Sequence, residues 1–219
     1  MIKFERGPAP KCLTFKKIKS GLTNSERWGK KWENERNKKG SNAKWQWHEF
    51  EERRVNEIII EQLRVLSNSH CAFCDKYAPE NDSDSIEHFH PKILSPLKAY
   101  QWGNLFLCCG GCQKRPKGWK NYEGKRPLIL NPCDQDYSFN RYFIFNAKNG
   151  EIEINDWNDS ENDKERAKIT IFYFKLNEFD RSFARLKSFK KHYDSKSLNK
   201  IKQAYNETVD ELPYRFFYL

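Results

Sequence analysis

The sequence predicts an α+β fold, mostly helix with few strands, organised around a four-cysteine zinc knuckle. Three observations carry this expectation. Two CxxC pairs, Cys71/Cys74 and Cys109/Cys112, each set two thiolates on a tight turn, and together they supply a closed tetrahedral zinc site. Apolar residues recur at three- and four-residue intervals before that stretch and again towards the C-terminus, as helices require. RYFIFNAKNGEIEI alternates aromatic and apolar residues around Asn149-Gly150, the strongest short hairpin signal.

Composition narrows the class. The 219 residues carry a formal net charge of +10, and 15% are aromatic. This balance favours a polyanionic partner and argues against a disordered chain, which would be poor in aromatics. No apolar run approaches the ~20 residues of a membrane span, so no membrane partner is expected. The opening MIKFERGPAP lacks the hydrophobic stretch of a secretory signal. Seven cysteines, four of them at metal spacing, fit reduced thiolates in a cytosol better than disulfides. The expectation is a soluble, basic, cytoplasmic protein.

Taken in order, residues 1–46 form a basic arm with thirteen Lys/Arg against four Glu, interleaved with Trp28, Trp32 and Trp45 and followed by Trp47. Two readings stand side by side. The arm grips nucleic acid, with cations on phosphates and indoles on bases, or the tryptophans anchor it to a core. NKKGSN, ending at Asn42, reads as a flexible break. From Trp47 to Leu66 the pattern is helical, with Phe50, Val55, Ile58, Ile59, Leu63 and Leu66 on one face. After Cys112 come six basic residues between Lys114 and Arg126 against Glu123 alone, a phosphate-binding pattern. LILNPCDQDYS reads as a strand entering a proline-stopped turn, and the hairpin follows. The acidic stretch 151–166 is a solvated turn with Asp159 and Ser160 as N-cap candidates. ERAKITIFYFKL and EFDRSFARLKSFKKHY predict two helices, with one more before Leu219. Phe172, Phe174, Phe179, Phe183 and Phe189 should pack on the core, part of that surface being free to dock a partner. The division expected is a basic arm (1–46), a core with the zinc site (47–150) and a helical region packed on it (151–219).

The 34 residues between the cysteine pairs exceed what a plain zinc ribbon needs, so the insert must itself be structured. Ile86-Glu87-His88-Phe89-His90-Pro91 alternates as a short strand would, with Glu87 on one face and His88 and His90 on the other. A histidine suits the deprotonation of water because its reference pKa of ~6.5 lies near working pH. A neighbouring carboxylate suits Mg²⁺, which prefers oxygen ligands.

This constellation resembles the HNH endonuclease family, whose motif is a ββα-metal finger around one divalent cation. The resemblance implies a ββα-metal core set between zinc knuckles and wrapped by helices from both ends. It implies that His88 is the general base activating water for attack on a phosphodiester, and that Asn104 fixes loop geometry through backbone hydrogen bonds. Glu87 falls where the family commonly has a metal-binding aspartate, and Gln113 where it has asparagine or histidine. Both would hold Mg²⁺ or Mn²⁺ through side chains one methylene longer than usual. His90, Lys92, Lys114, Arg115, Lys117 and Lys120 would grip the nucleic-acid backbone, giving low sequence specificity. IEHFHPK, YQWGNLFLCCGGCQ, LILNPCDQD and ITIFYFKLN, within roughly 58–190, further resemble the HNH nucleases of Septu-type and retron-associated antiphage systems. Such subunits act beside an ABC/SMC-like ATPase, which implies an effector held in check by that partner, cutting DNA or RNA such as tRNA.

Two other readings compete. A non-catalytic zinc-finger module that binds nucleic acid or bridges to a partner would explain a degraded third motif residue at Gln113. A homing or restriction nuclease working alone would cut specific sequences without any ATPase.

Overall fold

The computed structural model describes residues 1–3, 5–77, 85–114, 116–193 and 214–218, which form helices and small two-stranded sheets. The chain divides into two units: Glu5–Ser67 with Ser85–Leu107, and Met1–Phe4 with Asn68–Asp84 and Cys108–Leu219. None of the described helices is long and apolar enough to cross a membrane.

In the first unit, a single turn α1 (Lys11–Thr14) precedes α2 (Asn24–Lys39). Thr23 and Glu26 form a reciprocal capping box at the start of α2, satisfying two otherwise orphaned amides. Trp28 and Trp32, four residues apart, turn inward and are 6% exposed. Their rings are therefore core anchors, and the base-stacking reading of this part of the arm does not hold for them. Gly29 lies between them because a Cβ there would sit 2.9 Å from the Leu97 carbonyl oxygen. The helix expected from Trp47 begins only at Val55. Before it, β1 (Glu49–Phe50) and β2 (Arg53–Arg54) make a tight antiparallel hairpin. Glu51 and Glu52 take left-handed conformations there (φ 49° and 64°), which breaks the helical path. α3 (Val55–Ser67) then buries Val55, Ile59 and Leu63 at i, i+4 spacing. Finally, β3 (Ser85–His88) pairs with β4 (Leu105–Cys108), all of whose residues are buried. The chain bends after His88, so the period-two alternation stops there and does not carry through to His90.

The second unit starts its chemistry at a turn, Cys71–Lys76, closed by backbone hydrogen bonds in which Asp75 N–H donates to the Cys71 carbonyl and Cys71 N–H to the Lys76 carbonyl. Cys109 leads into one helical turn, α4 (Gly110–Gln113). The strand expected within LILNPCDQDYS does not form. Ile129 and Leu130 are buried and Ile129 is extended, but Leu130 N–H is taken by Thr170 Oγ1 at 2.9 Å instead of by a neighbouring strand. A turn α5 (Phe139–Tyr142) runs into β5 (Phe143–Phe145), antiparallel to β6 (Ile152–Ile154), with Phe143 opposite Ile154 and Phe145 opposite Ile152. The Asn-Gly hairpin signal is thus met. α6 (Glu161–Tyr173) is capped by Ser160, whose Oγ accepts from the Asp163 amide, and α7 (Phe179–Tyr193) follows. Phe174 is buried and stacks on Phe73 with centroids 4.0 Å apart. Phe179 and Phe183 differ from expectation: they are 81% and 58% exposed and stack on each other at the surface. Both point away because the inward positions of α7 are taken by Ser182 and Arg185. Beyond α7, the described part is Tyr214 and a turn at Arg215–Tyr218; the further helix expected there otherwise lies outside the described residues.

One glycine is obligatory. Gly150 has φ 79°, and a Cβ on it would fall 2.1 Å from the Ser182 carbonyl oxygen. Its own carbonyl accepts from the buried Arg185 Nε at 2.7 Å. Gly150→Ala should destabilise the protein by about 3 kcal/mol, combining overpacking with left-handed strain. Urea denaturation checks this, with Asn149→Ala next to it, lacking both effects, as the reference.

Candidate functional site

The four paired cysteines converge as expected. Cys71, Cys74, Cys109 and Cys112 are all buried, and their sulfurs lie within 4.8 Å of one another. Cys74 Sγ and Cys109 Sγ are 3.7 Å apart. That is far too long for a disulfide at about 2.05 Å, but matches the edge of about 3.8 Å that a tetrahedron with Zn–S bonds of ~2.3 Å would have. Soft thiolates in a closed, buried set fit a structural zinc ion, with no position open to substrate. Cys74 is the thiol held well below its ordinary pKa, through hydrogen bonds from Cys109, Cys112 and Cys71. Burial instead pushes Cys71 and Cys112 up.

Arg181, 69 residues beyond Cys112, completes this centre. Its Nη2 donates to Cys112 Sγ at 2.7 Å, while Nη1 donates to the Phe174 and Lys175 carbonyls that end α6. A zinc tetrathiolate carries net negative charge, and a guanidinium on its sulfur offsets part of it. Nothing in local sequence marks Arg181 for this. On the other side of the turn, Asp75 (φ 58°) is buried and receives Arg215 through its backbone N–H at 2.6 Å and its guanidinium at 2.7 Å. The last described residues are thereby tied to the cysteine turn.

The first unit holds the histidine site. His88 is 7% exposed at the end of β3, and its Nε2 lies 3.0 Å from the Ala99 carbonyl oxygen. A carbonyl only accepts, so Nε2 carries the proton and Nδ1 is left with a free lone pair. Trp47 lies nearly parallel to the imidazole at 5.8 Å, and Trp45 meets it edge-on at 5.4 Å. Asn104, buried just before β4, latches the intervening loop. Its Oδ1 accepts from the His90 amide at 2.6 Å, and its Nδ2 donates to the carbonyls of His90 and Lys98 at 3.0 and 2.9 Å. Its own carbonyl accepts from Phe89 N–H. Glu87 is buried, and its charge acts on the half-buried Lys92, whose ammonium lies 4.7 Å over the Trp45 ring. A buried carboxylate offers the hard oxygen donors that Mg²⁺ or Mn²⁺ takes.

Other expected residues fall elsewhere. His90 is exposed, beside Phe89. Gln113, Lys114 and Lys117 belong to the cysteine-bearing unit, where all three are exposed. Lys114 and Lys117 border a groove of 1240 Å³ with Lys168 and Lys175 from α6 and its C-terminal turn and an apolar floor of Ile154 and Phe172. Arg115 and the Lys120 side chain lie outside the described residues. Trp45 and Trp47 were visible as tryptophans, but nothing in the sequence tied them to His88; the Ala99 carbonyl, a backbone group, left no signal at all.

Burial, reinforced by the Lys92 charge, pushes the His88 imidazole down to about 3. The reference value near neutrality expected from sequence does not apply, and His88 is neutral throughout the physiological range. The unfolded chain therefore binds this proton first as pH falls, so stability decreases below ~6.5, the unfolded pKa. Between pH 6.5 and 5, the urea midpoint of the wild type should drop more steeply than that of His88→Gln, which has no proton to gain. Equal slopes would refute the assignment of a buried neutral imidazole.

Fold and site together define an α+β protein with a buried four-cysteine cluster that could hold a zinc ion in one unit and a buried histidine in the other. Against known proteins, the chain is 28% identical over 167 residues to the Septu protein PtuB of Bacillus mycoides (strain KBAB4), covering 63% of this chain and 53% of that protein. The chain thus resembles a Septu component, in keeping with the motif segments around His88 and Cys109. It spans about half the length of this relative. No family model matches the chain.

Proposed function

We propose that this chain is a metal-dependent HNH endonuclease, the effector of a Septu-type antiphage defence system, hydrolysing phosphodiester bonds of DNA or RNA. The observation that carries the reading is the geometry at His88: its Nε2–H is engaged by the Ala99 carbonyl at 3.0 Å, which leaves Nδ1 as the nitrogen able to accept a proton. Similarity to the Septu protein PtuB supports the defence context.

In this reading β3, β4 and α4 are the ββα-metal finger. His88 takes the proton from the attacking water. Asn104 keeps the His90–Lys98 loop in register with β4, so that the base does not drift. Glu87 and Gln113 are the residues that would hold Mg²⁺ or Mn²⁺. Such a cation supplies charge stabilisation at the scissile phosphate and the leaving 3′ oxygen. His90, Lys92, Lys114, Arg115, Lys117 and Lys120 contact phosphates, and contacts of that kind carry no sequence information. The zinc centre is structural. An ABC/SMC-like ATPase holds the effector in check, consistent with the absence of a phosphate-binding loop motif in this sequence.

Phage challenge of cells carrying this gene with its ATPase partner tests the proposal. His88→Ala should abolish protection while zinc content and partner binding persist. Full protection by the variant would instead make the chain a non-catalytic zinc module.

A further inference from the structure

We propose that Trp45 and Trp47 are positioning residues for His88: their indoles hold the imidazole in the orientation that keeps Nε2–H on Ala99 and Nδ1 free. The inference rests on the reading of His88 as general base and adds how that base is kept in place.

A single hydrogen bond fixes one atom of a ring, not its plane. With only Nε2 tethered at 3.0 Å, the imidazole could still rock about the N–O line. The two indoles remove that freedom. Trp47 covers a face of the ring (5.8 Å, 23°) and Trp45 abuts it at right angles (5.4 Å, 87°). They also meet each other at 5.4 Å and 81°, forming a corner.

That corner is itself braced. Tyr100 stacks on Trp45 at 4.7 Å, and its hydroxyl donates to the carbonyl of Gln46, the residue between the two tryptophans, at 2.6 Å. Trp32 meets Trp45 edge-on at 5.2 Å and anchors to the Lys92 carbonyl through Nε1 at 2.7 Å. The Lys92 ammonium lies over the Trp45 ring. Trp45 Nε1 is buried with no hydrogen-bond partner among the described residues, so ring contacts alone hold this indole. Leaving a buried donor unpaired opposes folding, and the surrounding aromatic contacts offset it.

The choice of side chain follows from the chemistry. An Asp or Asn orienting the imidazole through Nδ1 would occupy the lone pair that must accept the proton. Aromatic walls restrict the ring while leaving both nitrogens to their own partners. Their engagement with His88 and Tyr100 also leaves Trp45 and Trp47 poorly placed to stack on substrate bases.

The test compares Trp47→Leu with Trp47→Phe, which keeps a ring, by two readouts. Nitrogen-15 NMR of the imidazole reports the tautomer and the exchange of Nε2–H without any need for activity. Cleavage kinetics separate kcat from KM. Trp47→Leu should lower kcat about tenfold with KM changed by less than about twofold, and broaden the Nε2–H signal. Trp47→Phe should retain most of both. Unchanged kcat with an intact Nε2–H signal in Trp47→Leu overturns the proposal, and so does a rise in KM alone, the mark of a base-stacking role. If the wild type cleaves nothing, the nuclease reading fails by itself. The NMR comparison then decides on its own whether the indoles hold the ring. Should Trp47→Leu not fold, Trp47→Met, also without a ring, is compared with Trp47→Phe in the same two readouts.

Discussion

Removing the metal from the cysteine centre is expected to unfold the unit that carries it, not merely to weaken it. The four buried sulfurs and the Asp75–Arg215 pair knit the Cys71–Lys76 turn, the Cys109–Gln113 turn and the last described residues into one cluster. Metal-free, these thiols would crowd one another in a dry pocket, with only one of them stabilised as thiolate. Structural zinc contributes on the order of 10–16 kcal/mol in small domains, comparable with the whole stability of about 5–15 kcal/mol of a typical protein. Purified protein should therefore hold one zinc ion per chain by elemental analysis. Cys74→Ser should lose it together with near-ultraviolet circular dichroism and cooperative melting. Arg181→Gln should keep the zinc but release it faster to a chelator, because the sulfur loses its charged donor. A Cys74→Ser variant that melts like the wild type would show that the cluster does not hold the unit together.

The second large effect concerns His88. Replacing it by alanine should lower the single-turnover cleavage rate by about 10²–10⁴, the usual contribution of a positioned general base. Structure changes little, because the side chain makes one hydrogen bond and packs on two indoles. The stability loss should be about 1–3 kcal/mol, from the cavity and the unpaired Ala99 carbonyl. Zinc content should be unchanged, since the cysteines are in the other unit. A rate within about threefold of wild type would remove His88 from the proton-transfer role.

How legible each part was depends on the range of the interaction that creates it. CxxC spacing is local, and the thiolate cluster could be read from it directly. The Asn149-Gly150 hairpin and the Ser160 cap are also local, and both formed. Where tertiary contacts decided, sequence periodicity misled. Phe50 matches the helical face of Val55–Leu66, yet the adjacent Glu51 and Glu52 adopt left-handed geometry and turn that stretch into a hairpin. Leu128–Leu130 has strand composition, but its amide finds Thr170 of α6 rather than a strand. Phe179 and Phe183 satisfy a helical apolar stripe while facing solvent. In the site, residue types at 87, 88 and 104 could be singled out from the motif; the partners of His88 could not. Ala99 acts through its backbone, and Trp45 and Trp47 lie some forty residues away, across folded elements.

The measurement that bears most directly on the central claim is cleavage itself. Zinc-replete protein, alone and with the proposed ATPase partner, would be incubated with duplex DNA, single-stranded DNA and tRNA in Mg²⁺, in Mn²⁺ and without divalent ions. His88→Ala would run alongside each reaction. The account requires cutting that depends on the divalent ion and disappears with the histidine. Binding of nucleic acid with no cutting in any lane, partner included, would contradict it.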